Sequence, residues 1–419
     1  MAKKGKGVHH NGSIELAKAN TNERADLSYV WSEAQAMRDE LVELRRDFHM
    51  HPELAHQETR TAKTIADYLR KLGDIEVTEG VGGTGVVGVL RGAGEGKTIM
   101  LRADMDALPI VEANDVPYHS LNHGVMHACG HDTHIAVALV AAKMVSLRRN
   151  HLRGKLKLCF QPAEEADGGA EDMIKQGVMD NPRVDRVIGF HVEGDLPVGK
   201  VGIRPGPQAA GVEEFVITVK GKGGHGAAPH ETIDPILAAG HILTALQTIV
   251  SRNVDPVDKA LVTVGKIEGG TAFNIIPDEC RLTGTLRFFS EDTHKLLVKR
   301  LTEVARGVAK AMGGSADVYL NPGVTMIPVV NDPEVSEWLA SVAARTVGSE
   351  RVILTEQVMG GDDMALFLRD APGCYPMIGG QNLKKGYSGL HRSSHFDIDE
   401  DCLPIALAMM AGGVLDYLG

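Results

Sequence analysis

The chain has 419 residues, 43% of them apolar and 24% charged, which describes a folded protein too long for one hydrophobic core and excludes a disordered chain. Its formal net charge of -11 argues against a nucleic-acid partner, whose phosphates it would repel, but allows a locally positive site for a small anion. Five scattered cysteines, Cys129, Cys159, Cys280, Cys374 and Cys402, form no paired short spacing and predict a reducing, cytoplasmic setting without disulfides. The longest apolar stretch read along the sequence, near residues 135–145, is too short for a bilayer and contains Lys143, so no membrane partner is expected.

Residues 1–28 are polar and read as a mobile tail. Helices are predicted over 32–48 and 59–72. In the second, Ala62, Ile65, Ala66, Leu69 and Leu72 recur at helical spacing and Gly73 follows as a cap. Strands are predicted at 85–91 and 98–104, divided by the turn GAGEG, and a long apolar helix starts near Asp132. Leu156, Leu158 and Phe160 alternate with Lys155, Lys157 and Cys159, which marks a strand stopped by Pro162, and 187–191 reads as another strand. Strands alternating with helices predict an α/β layer. The middle differs: a strand at 214–220, a helix at 235–251, strands at 261–268 and 279–289, and a helix at 291–311. That order predicts a separate α+β domain at 211–321, inserted into a discontinuous domain made of 29–210 and 322–419.

Chemistry-bearing residues gather in five segments. In MHACGHDTH, Cys129 and His131 are two apart, so extended backbone turns them to one side, and a thiolate with an imidazole suits a borderline-soft divalent ion. A core cysteine beside surface histidines is the plainer reading, made less attractive by three His, one Cys and one Asp standing so close together. Glu164 and Glu165 follow the strand ending at Phe160, where open α/β sheets form ligand crevices, so one can hold a metal while the other serves as a base. An exposed acidic turn is the alternative. Asp104 and Asp106 end another strand and can ligate a metal or orient a histidine, or simply cap a turn. His191, His391 and His395 are single histidines that gain weight because the other groups need partners. Gly83, Gly85 and Gly88 match the dinucleotide fingerprint but lead into a strand rather than a helix, so they are assigned to a turn. Cys129 as a nucleophile would leave Glu164, Glu165 and His191 without a role.

With these segments in order, the chain resembles the dinuclear-metal aminoacylase and carboxypeptidase G family, in its hippurate hydrolase and indole-acetyl-amino-acid hydrolase branch. The matching stretches are RRDFHMHPEL, LRADMDALP, HACGHDTH, FQPAEE, GFHV, GKGGHGAAPH, AFNIIPDECRLTGTLR and FDIDED, from about residue 42 to the end. The resemblance implies a zinc-peptidase-like catalytic domain with an inserted lid and dimerisation domain. It implies two divalent ions (zinc, manganese, cobalt or nickel) held by Cys129, His131, Glu165, His191 and His391. It makes Glu164 the general base and Asp106 an orienting carboxylate, and has His225 stabilise the oxyanion while Asn274 and Arg287 hold the substrate carboxylate. The last ligand departs from the usual His-x-Pro-x-Phe spacing. Arg392 stands four residues before Phe396, so His391 is chosen over His395 on the assumption of a one-residue insertion. Met364 follows Asp362 and Asp363 where relatives have an aromatic residue.

The resulting expectation is a metal-dependent amidohydrolase that cleaves N-acyl amino acids, as a homodimer or higher oligomer. A dipeptidase or carboxypeptidase using the same site and a non-catalytic binder of metal or acyl amino acids are the alternatives.

Overall fold

The computed structural model describes residues 25–419, except Asp167, Ser388 and the side chains of residues 321–325. Residues 1–24 of the expected tail lie outside the described residues. The last four do not form a tail: Leu27 is 3% exposed and Ala25 packs against the same core, so apolar anchoring begins before residue 29. The chain is an α/β protein of two compact units, the first running to Gly206 and resuming over Val330–Glu356 and Leu366–Gly419. The second comprises Pro207–Val329 and Gln357–Ala365. It is wider than the 211–321 expected from the sequence, partly because an unforeseen strand, Ser315–Met326, runs past residue 321.

In the first unit α1 (Val30–Ala36) and α2 (Arg38–Met50) replace the single helix expected over 32–48, with the break at Met37. α3 (Thr59–Lys71) buries Ala62, Ile65, Ala66 and Leu69, and Gly73 takes φ 85° just past its end, the left-handed conformation that glycine adopts without a Cβ penalty. β1 (Ile75–Val81) and β2 (Gly85–Arg91) form an antiparallel hairpin, so the glycines of the rejected dinucleotide fingerprint do lie in a turn and a strand. β3 (Gly94–Asp104), α4 (His131–Ser146), β4 (Arg153–Gln161), α5 (Gly169–Lys175), β5 (Arg186–Ile188) and β6 (His191–Pro197) follow.

A six-stranded sheet runs β1-β2-β4-β3-β5 and ends on Gly373–Cys374. β4, β3 and β5 are parallel neighbours, so their carboxyl ends lie along one edge of the layer. The 187–191 stretch expected as one strand is divided. β5 stays in this sheet, whereas β6 joins a four-stranded sheet with Val352–Leu354, Val201–Ile203 and Met377–Gln381. α4 buries every residue but Lys143 and Ser146, as does an all-round apolar helix deep in the fold. The stretch Glu400–Leu418, not residues 135–145, is long and apolar enough to cross a membrane, yet 83% of its apolar window is buried inside the protein, where Leu403, Leu407 and Met410 join the core.

The second unit carries a four-stranded antiparallel sheet in the order Leu261–Gly269, Glu279–Phe288, Gly211–Lys220, Ser315–Met326. Along Gly211–Lys220 burial alternates residue by residue, and Phe215, Ile217 and Val219 meet Ile242 and Leu246 of helix Pro235–Asn253 and Leu297 and Leu301 of helix Glu291–Ala311. Asp234 and Ser290 cap these helices by accepting backbone N–H bonds from Ile236 and Thr293.

Candidate metal centre

The five expected ligands meet in the first unit, at the carboxyl ends of its parallel strands. Donor atoms of Cys129, His131 and His191 lie within 4.8 Å of one another, as do those of His131, Glu164 and Glu165, and those of His191, Glu193 and His391. Cys129 and His131 do not converge through extended backbone. Gly130 caps α4 with φ 87°, and a Cβ there would lie 2.3 Å from Val192 Cγ1, so only glycine makes the corner that turns both side chains inward. On the other side, β4 ends at Gln161, and Ala163 takes φ 52° before Glu164. The buried Glu58 secures that bend by accepting from the Ala163 amide at 2.9 Å and from Thr84 Oγ1 at 2.6 Å. Burial raises the Glu58 pKa.

Each of the three expected histidine ligands commits one ring nitrogen to a backbone carbonyl. His131 Nδ1–H donates to Asp106 O at 2.9 Å, His191 Nδ1–H to Val192 O at 2.8 Å, and His391 Nε2–H to the same Val192 O at 2.9 Å. In the neutral ring the other nitrogen of each carries a lone pair into the cluster, the tautomer that a metal ligand needs. His131 Nε2 and Glu165 Oε1 are buried with no hydrogen-bond partner among the described residues, and His191 Nε2 lies 3.6 Å from Cys129 Sγ. One thiol, three imidazoles and a carboxylate, with His131 Nε2 and Glu165 Oε1 left unpartnered among the described residues, fit a borderline-soft divalent ion.

Charge around the cluster favours a cation. Burial alone would lower the His131 pKa, but Asp104, Asp106 and Cys129 more than offset it and hold the ring well above its ordinary value. His191 is likewise raised by Cys129 and Glu193 against burial, whereas burial and neighbouring His191 bring His391 down to about 4. Asp106 Oδ2 accepts from the Glu165 amide at 2.9 Å, so this carboxylate braces the loop that carries both glutamates. Glu164 is 6% exposed.

Several neighbours went unassigned in the sequence. His134 donates from Nδ1 to Asp104 Oδ1 at 2.5 Å and accepts at Nε2 from the Val192 amide at 3.1 Å. Burial takes its pKa down to about 4, and with both nitrogens engaged it is a brace rather than a ligand. Asp104 also takes Arg102 Nη1 at 2.6 Å. Glu193 stands 3.4 Å from His191 Nδ1 and 3.6 Å from His391 Nδ1. Its position two residues after His191 was a readable signal, because alternate strand residues share a side. Asp132, inside the histidine-rich motif, turns away from the cluster to His49 Nδ1 at 2.8 Å and Arg45 Nε at 2.9 Å, all three buried. His395 is exposed, 3.2 Å from Ser394 Oγ, and is not brought to the cluster.

The three substrate-binding candidates lie in the second unit. His225, in the short strand Gly224–His225, and Asn274 are exposed and adjacent: the Gly226 amide donates to Asn274 O at 2.8 Å, and His225 Nδ1 accepts from the Ala227 amide at 3.0 Å. Arg287 is half-buried on strand Glu279–Phe288, opposite Val212 and Leu261.

The model of peptidase family M20/M25/M40 matches residues 100–416. Thermostable carboxypeptidase 2 of Saccharolobus solfataricus is 41% identical over 377 residues, 89% of this chain and 94% of that protein. IAA-amino acid hydrolase ILR1-like 2 of Arabidopsis thaliana is 40% identical over 382 residues, 91% of this chain and 85% of that protein. Among solved structures, the Bacillus subtilis YXEP protein, described as a dinuclear metal binding peptidase, superposes with TM-score 0.79 at 33% identity, covering 92% of this chain and 99% of that one.

Proposed function

This chain belongs to peptidase family M20/M25/M40, whose members are hydrolases, and from that premise we propose that it cleaves the amide bond of N-acyl amino acids at a centre of two divalent ions. The observation that carries the reading is the common tautomer of His131, His191 and His391, each tied to a carbonyl on one nitrogen and turned into the Cys129–Glu165 cluster with the other. The likeness to a dinuclear metal binding peptidase supports two ions, and the Cys/His/Glu set suits zinc, manganese, cobalt or nickel.

When bound, such ions would lower the pKa of a water to about 7 and polarise the scissile carbonyl. Glu164 accepts the proton of the attacking water and passes it to the amide nitrogen, so that the C–N bond breaks with a neutral amine leaving. Glu165, one residue on and braced by Asp106, stays an acceptor and holds an ion. The resemblance assigns oxyanion stabilisation to His225 and the substrate carboxylate to Arg287 and Asn274, a guanidinium fork being able to match two carboxylate oxygens. Exposed Ile236, Leu237 and Leu243 on one helix of the second unit suit the homodimer expected from the resemblance. All five cysteines are free, which suits a reducing cytoplasm.

A carboxypeptidase acting through the same residues is the second reading, favoured by the 41% identity to a thermostable carboxypeptidase. Amine release from a panel of N-acyl amino acids and dipeptides, by stripped enzyme and by enzyme reloaded with manganese or zinc, separates the two. Faster metal-dependent release from the acylated members supports the amidohydrolase; preference for free-amino peptides supports the peptidase; no release with any metal contradicts both.

A further inference from the structure

Among the described residues of its loop, Arg392 is the one non-glycine with positive φ, at 63°, and its amide donates to Ala128 O at 2.8 Å, directly before Cys129. The backbone is thereby fixed so that the guanidinium reaches into the cluster. Nη2 meets Glu165 Oε2 at 2.6 Å, and Glu165 and Cys129 together raise the Arg392 pKa against burial. Glu165 and Cys129 are the two anionic donors of the expected ligand set, so a positive charge already stands against donors that an ion needs. The two ends of this contact differ in freedom: the Glu165 side chain is 4% exposed, whereas that of Arg392 is 64% exposed and can leave toward solvent without disturbing the core.

We propose that Arg392 is a built-in competitor for the ion held by Cys129 and Glu165, so that the two metal positions differ in affinity and the second fills only as the guanidinium swings away. The inference rests on the metal-centre reading above. It follows from charge: a guanidinium and a divalent ion cannot share one carboxylate and one thiolate at contact distance without repulsion. A merely structural ion pair would instead hold Glu165 in place for the metal, and its loss would weaken binding.

The test titrates the full-length, chelator-stripped protein with cobalt(II) against a chelating dye, while following the near-ultraviolet thiolate-to-cobalt band that reports Cys129. Wild type, Arg392→Gln and Cys129→Ser are compared. Arg392→Gly, whose backbone accepts φ 63°, replaces the glutamine variant if that one misfolds. The expected result is an ion that gives the band and binds about tenfold or more tighter without Arg392, with the other ion nearly unchanged. Equal or weaker binding of the band-giving ion in Arg392→Gln, with the band lost in Cys129→Ser, overturns the role of Arg392 and leaves the metal centre standing. Absence of both binding and band in every protein overturns the metal centre together with the inference.

Discussion

The Glu165 backbone amide donates to Asp106 Oδ2 at 2.9 Å, so the carboxylate two residues past β3 positions the loop that presents Glu164 and Glu165. Asp106 also lies 3.3 Å from His131 Nδ1 through its other oxygen. It thus orients an expected ligand on each side of the cluster without entering it. Partners of this kind typically account for 10–100-fold in metal affinity. Asp106→Ala is therefore expected to weaken zinc binding by about that factor while the circular dichroism spectrum stays native. Asp106→Asn, which still accepts from the Glu165 amide, is expected to recover part of the loss. Unchanged affinity in the alanine variant would remove Asp106 from the site.

His391 and His395 offer a second comparison. His391 lies with its ring centroid 5.0 Å from that of His191, and His395 is exposed beside Ser394. His391→Ala is expected to lower bound metal toward one ion per chain, read by metal analysis after gel filtration, and His395→Ala to leave it unchanged. The reverse pattern would make His395 the ligand.

Beneath the centre, Arg45 is enclosed by Asp132 at 2.9 Å, Asp397 at 2.7 Å and Glu400 at 3.4 Å, with Arg45 itself fully buried. Asp132→Asn leaves Arg45 and His49 short of a countercharge in a dry interior, where breaking such a pair costs about 3–5 kcal/mol. Urea unfolding should register that loss. A cost under about 1 kcal/mol would mean that Asp397 and Glu400 suffice for Arg45.

Lys157 supplies a pH test away from the centre. It is buried in β4, and Nζ donates to Val178 O at 2.5 Å and Pro182 O at 2.8 Å. Burial lowers its pKa from 10.5 to about 8. Between those values the unfolded chain holds a proton that the folded one has released, so the Lys157 contribution to stability rises with pH across the window and is flat below it. Relative to Lys157→Met, the wild type should gain roughly 2 kcal/mol between pH 8 and pH 10.5 in denaturant titrations. A gap independent of pH would show that the lysine stays charged when folded.

The sequence made the centre legible where ligand types cluster. The HACGHD and EE segments carry three of the five expected ligands and the base, and the distant histidines His191 and His391 supply the other two. What escaped it depends on tertiary placement. The spacing of Glu193 to His191 was readable, but the apolar run through Ile188 and Phe190 gives no sign that the strand carrying both leaves the sheet of β5 for another. Arg392 meets Glu165 across 227 positions, a pairing that no local spacing announces. β1 was missed because only Ile75 is buried along it, so the alternation that marks a half-buried strand is weak. Helix periodicity passes through Met37 without interruption, which concealed the break between α1 and α2. Conversely, the 59–72 helix was legible from its apolar face and terminal glycine alone, because both signals are local.

The most direct test of the central claim is Glu164→Gln, which removes the base and keeps the shape. Metal content and amine release from an N-acyl amino acid are measured on the same reloaded sample. The variant is expected to bind two ions as the wild type does and to turn over about 10²–10⁴-fold more slowly. A wild-type rate in the variant, or release from wild-type enzyme that survives removal of its metals, would contradict that claim.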